Sequence, residues 1–90
     1  MKKPKSDIEA LQLWLDFVKT GEWCCTHLES DYNYVWYVKI IPGHGLNKYM
    51  EGDNHEPVVY LSGEKLKDVI YRAIKRALDW KKNVLAKKPL

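Results

Sequence analysis

Two cysteines and three histidines are the residues in this chain best suited to metal or nucleophilic chemistry. Cys25 and His27 share one face of an extended segment, about 6.6 Å apart along it, which is wider than two ligands of one tetrahedral metal ordinarily take. His44 and His55 fall in a glycine-bounded connection beside Asp53 and Glu56, a set able to compose a His/carboxylate site for metal binding or proton transfer. None of these groups shows a recognised ligand spacing, so they read as polar loop or half-buried structural residues. A nucleophilic Cys24 or Cys25 with His27 would need an orienting group and an oxyanion donor, and the sequence marks neither. Gly43-His44-Gly45 is too short to cradle a phosphate, and the glycine after Ser62 lacks a Gly-rich run and the Lys-Ser/Thr pair of a nucleotide loop. The expectation is a protein that is not an enzyme and takes no cofactor and no metal, with a histidine-dependent hydrolase or ribonuclease as the alternative.

The aromatic cluster Trp23, Tyr32, Tyr34, Trp36 and Tyr37 carries a different chemistry. Trp36 is expected under the helices, while Tyr32 and Tyr37, with Trp23 as a further candidate, are expected as exposed rings that anchor an interface. Their charged neighbours are Glu22, Glu29 and Asp31, which repel a phosphate backbone and favour a protein partner over nucleic acid. The opposite bias belongs to Lys65, Lys67, Arg72, Lys75 and Arg76 near the C-terminus, which form either a solvated face or a phosphate-contacting stripe. The expected contact residues are therefore Glu29, Asp31, Tyr32, Tyr34 and Tyr37, with Arg72, Lys75 and Arg76 on the far side.

The elements that must position these groups follow from periodicity. Residues 63–88 read as one long amphipathic helix: Leu66, Val69, Ile70, Ala73, Ile74, Ala77 and Leu78 recur at three- and four-residue spacing, and Trp80, Val84 and Leu85 continue the stripe. Ser62 is expected to cap it, with Asp68 and Asp79 placed for i,i+4 and i,i+3 pairs on the basic face. At the other end Ser6-Asp7-Ile8-Glu9 has the form of a capping box, and Gly21 stands where a left-handed cap would close the first helix. In that helix Ile8, Leu11, Leu15 and Val18 form one stripe, widened by Ala10, Leu13, Trp14 and Phe17, so contact on two sides is expected.

Residues 22–29 and 34–41 flank the polar turn 30–33 and read as a β-hairpin. Trp36, Val38 and Ile40 share one face of its second strand; Val35, Tyr37, Lys39 and Ile41 share the other, which the lysine marks as wetter. Residues 46–51 and 57–61 are two further strand candidates, the second confined to an edge or a strand start by Pro57. The resulting fold class is α+β: an N-terminal helix, an antiparallel sheet of three or four strands and a long C-terminal helix, both helices on one face.

Ninety residues make one domain, 1–90, with 1–5 and 87–90 as flexible tails, and 46% hydrophobic with 30% charged residues is the composition of a globular protein. No 18 apolar residues run together, and adjacent cysteines give no disulfide framework, so a cytoplasmic protein off the membrane is expected. The formal charge of +3 hides a division. Residues 7–61 hold nine acids against three lysines, a balance of −6, and the remainder holds twelve bases against three acids, a balance of +9.

Gly21-Glu22-Trp23 after the first helix, Thr26-His27 on the first strand and Pro42-Gly43-His44-Gly45 after the second stand in an order of elements similar to that of double-stranded-RNA-binding domains. The small HicA-type toxin ribonucleases are built on the same fold. The resemblance implies RNA binding through the C-terminal helix, or a ribonuclease using a histidine. The chain departs from both in its short acidic turn at 30–33 and in Lys65-Leu66-Lys67, where such domains carry a lysine cluster. The function expected first is a non-enzymatic binding module that occupies a partner's surface, in the manner of accessory proteins of phages and mobile elements. A homodimer joining the acidic strand side of one copy to the basic helix of another is a further expectation.

Overall fold

The computed structural model describes residues 1–31, 33–47 and 56–86, with backbone alone at Cys25, His44 and Asn47. Tyr32, Asp53, His55, the end of the strand candidate at 46–51 and the tail at 87–90 lie outside the described residues.

Helix α1 spans Asp7–Lys19. The Ser6 hydroxyl accepts the Glu9 N–H at 3.2 Å, as an N-cap should. The Glu9 carboxylate accepts from the Lys5 N–H at 2.8 Å, one residue before the partner that a reciprocal box would use. Lys5 is thereby held, and Pro4 just before it is buried. Gly21, at φ 71°, closes the helix in the left-handed conformation that glycine adopts without a Cβ penalty.

Strands β1 (Trp23–Ser30), β2 (Trp36–Pro42) and β3 (Val59–Gly63) form an antiparallel sheet in the order β1-β2-β3. Thr26 faces Ile40, Leu28 faces Val38 and Val38 faces Leu61, so the β-branched and leucine positions fall in register on one face. The candidate at 57–61 is thus an edge strand, entered after Pro57 as proline's missing donor requires. At 44–47 the chain forms a single helical turn, α2 (His44–Asn47), instead of the expected strand, and the Gly43 carbonyl accepts the Leu46 N–H at 3.0 Å.

Helix α3 spans Leu66–Leu85 and starts later than its periodicity suggests. Ser62 and Gly63 belong to β3, paired with Tyr37 and Trp36, and Lys65 takes the N-cap position without a side-chain cap bond. Ladder pairing has taken the residues expected to cap the helix. A Cβ on Gly63 would lie 2.7 Å from Val69 Cγ2, so glycine lets the first turn of α3 sit directly on the end of β3. Val69, Ile70, Ala73, Ile74 and Ala77 then close over Val38, Ile40, Val59 and Leu61, all of them buried. Each large aliphatic side chain so enclosed contributes about 1.5–3 kcal/mol relative to exposure.

Both helices lie on this face. α3 packs on β2 and β3, and α1 packs along α3. Ala10, Trp14 and Phe17 are the buried residues of α1, with Phe17 stacked on Trp23 at 5.3 Å and Trp80 at 6.1 Å beyond it. Two expectations are corrected here. Trp23 is core and not an exposed ring, because α1 and α3 converge over the start of β1. The stripe Ile8, Leu11, Leu15 and Val18 is not enclosed; burial falls on the narrower aromatic stripe beside it. No helix among the described residues is long and apolar enough to cross a membrane.

Candidate binding surface

Side-chain alternation that buries Val38 and Ile40 turns His27, Glu29, Tyr37, Lys39 and Tyr60 to the opposite side of the sheet. No described element packs over that side. His27 stands opposite Lys39, Glu29 opposite Tyr37, and Lys39 opposite Tyr60, so three strands present one continuous patch. Its most exposed ring is Tyr60, at 68%. Between the rings lies a shallow cleft of about 160 Å³, lined by His27, Glu29, Tyr37, Lys39 and Tyr60. That is below the ~300–1,000 Å³ of ordinary small-molecule pockets.

The hairpin end is rigidly built. The Asp31 carboxylate accepts the N–H groups of Asn33 at 2.9 Å and Val35 at 3.2 Å, and the Tyr37 hydroxyl donates to its other oxygen at 3.1 Å. Partial desolvation pushes the Asp31 carboxyl up, but the Val35 and Asn33 N–H groups and the Tyr37 hydroxyl outweigh it, so it sits below the ordinary carboxylate range. The same bond to Asp31, with the negative charge behind it, raises the Tyr37 phenol above its usual value. Tyr34 adopts φ 62°, a left-handed conformation costly for a residue with a Cβ, and projects 83% exposed.

The expected contact residues are thus distributed unevenly. Tyr34 is at the tip, and Glu29 and Tyr37 are on the open sheet face, Tyr37 half-buried. Asp31 is spent on the turn. On α3, Arg72 is tied by its Nε to Asp68 at 3.0 Å and by Nη2 to the Ser62 carbonyl at 3.4 Å, whereas Lys75 and Arg76 are exposed and make no ion pair among the described residues.

The acids of the hairpin region are not uncompensated, and this corrects the charge argument. Glu22 receives both its bonds from Lys81 Nζ, at 2.6 and 2.7 Å, which joins the entry of β1 to the basic helix. Glu29 lies 3.2 Å from His27 Nε2. Two of the three acids therefore have basic neighbours, and the open face carries mixed charge. The cysteine-histidine pairing ends differently as well. The backbone places Cys25 on the face of His27, Cys24 is exposed and free at a bulge, and no group of three metal-ligating side chains occurs among the described residues.

Lys39 and Tyr60 are the patch residues that sequence reasoning did not single out. Their signal was present: each alternates out of phase with buried neighbours, Lys39 with Val38 and Ile40, Tyr60 with Val59 and Leu61. Only strand pairing brings them together. No family model matches the chain, and no curated protein and no solved structure is significantly similar to it.

Proposed function

We propose that the protein is a small non-enzymatic binding module that acts by occupying a partner protein's surface with the open face of its sheet. The observation supporting this reading is the patch of Tyr37, Lys39 and Tyr60 with His27 and Glu29, left without a covering layer among the described residues and carrying no concavity of substrate size. Tyrosine offers broad contact area and a polar tip at low entropic cost, and the mixed charges around it supply register. Tyr34 extends the same surface at the hairpin tip.

Affinity capture from the native cell tests this. Tyr60→Ala with Lys39→Glu should lose the captured protein while the circular dichroism spectrum stays unchanged. Capture equal to that of the unaltered chain would overturn the assignment.

A second reading rests on Lys75 and Arg76, exposed on α3 with no anionic partner among the described residues. Under it, duplex RNA would bind with an affinity that falls steeply as salt rises, and Lys75→Glu with Arg76→Glu would reduce that slope. No binding at low salt removes it.

A further inference from the structure

Helix α1 has two apolar faces, and its own fold uses one. Ala10, Trp14 and Phe17 turn toward α3 and Trp23, while Ile8 is 81%, Leu15 50%, Leu11 41% and Val18 37% exposed. The exposed four recur at intervals of three, four and three, the repeat of a two-helix seam. At 3.6 residues per turn they occupy an arc of about 80°, turned away from α3.

The neighbouring strand is unpartnered on the same side. α3 covers β2 and β3, and α1, reaching Trp23 through Phe17, takes the β1 side of the layer. β1 is an edge strand of eight residues without proline or lysine, and its outward edge is unpaired among the described residues. Edges of that length are ordinarily covered, shortened or charged.

We propose that this flank is a self-association surface: a second copy of the chain packs against it about a twofold axis normal to the sheet, α1 on α1 and β1 edge on β1 edge. Such an axis runs both pairs antiparallel and keeps all the helices on one face of a continuous six-stranded sheet. The sequence of α1 is self-complementary in that direction. Leu11 of one copy meets Leu15 of the other, Ile8 meets Val18, and Asp7 in the first turn meets Lys19 in the last. β1 behaves in the same way. A register centred on Leu28 sets His27 opposite Glu29 twice on the open face and leaves the two Leu28 side chains together on the covered one. A different protein would have no reason to match both patterns about one axis, which selects a copy of this chain as the occupant.

Sedimentation equilibrium of the full chain tests the arrangement. The expected result is a dimer of the 10.6 kDa chain that persists at high salt, since its seam is aliphatic. Leu11→Glu with Leu15→Glu should weaken association roughly a hundredfold by placing carboxylates in that seam. Should that variant unfold, the charged ends decide. Asp7→Lys should loosen the dimer and adding Lys19→Asp should restore it, although both changes oppose the helix dipole and would only harm an isolated α1. Amide exchange along β1 should slow as the dimer forms. A monomer at every concentration overturns the proposal, as do a dimer dissociated by salt, one indifferent to these substitutions, or one whose β1 amides exchange as fast as the monomer's.

Discussion

The two faces of β2 are made by alternate residues of one strand and have opposite fates. Val38 and Ile40 are 1% and 0% exposed beneath α3, while Tyr37 and Lys39 between them remain half in water. Substitutions on the first face should test the fold and those on the second should test recognition, so the contrast separates stability from binding in a chain small enough for the two to be confused.

The largest effect should come from comparing neighbours across that divide. Ile40→Ala is expected to cost about 2–5 kcal/mol in chemical denaturation, because a fully enclosed branched side chain leaves a cavity that a sheet under a helix cannot close. Lys39→Ala should stay within about 0.5 kcal/mol. Similar losses from both would mean that the open face is covered and would remove the proposed binding surface.

Ion pairs sharpen the same comparison at lower amplitude. Glu22 and Lys81 tie β1 to α3 with side chains 38% and 27% exposed, whereas His27 and Glu29 pair on the open face at 51% and 61%. A double-mutant cycle with Glu22→Gln and Lys81→Met should give a coupling of about 0.5–1 kcal/mol, and the corresponding open-face cycle should give close to zero.

The smallest effect concerns the hairpin end and depends on pH. Because the folded state holds the Asp31 carboxyl below its ordinary value, its contribution is present above that value and disappears as pH falls through the depressed one. The Tyr37 phenol is raised, so its contribution is present below the usual tyrosine value and disappears as pH rises through the folded one. Between these limits the pair should impose no slope. Thermal unfolding of Asp31→Asn should lose the acid-side slope that the unaltered chain shows; an unchanged acid limb would place that slope on other carboxylates.

Much of the fold was legible because it is periodic. Ser6 and Gly21 bracket α1, the hairpin alternates as expected around Asp31, and the apolar stripe of α3 from Leu66 to Val84 is the one that closes the core. The candidate surface was legible only in part. Tyr34, Tyr37 and Glu29 were singled out for ring and charge, but Lys39 and Tyr60 meet only through pairing of β2 with β3. Asp31, read as a contact, is consumed by its own turn.

Composition and spacing alone determined that this chain makes two amphipathic helices around an antiparallel hairpin, since hydrogen bonding within a segment and the period of its apolar residues are properties of neighbours in the chain. Tertiary structure decided which of the two apolar stripes of α1 would be enclosed, that Ser62 and Gly63 would extend a strand instead of opening a helix, and that Lys81 would reach Glu22. Those outcomes depend on competition among distant groups for the same partners, and a local pattern holds no information about which competitor lies closest once the chain has folded.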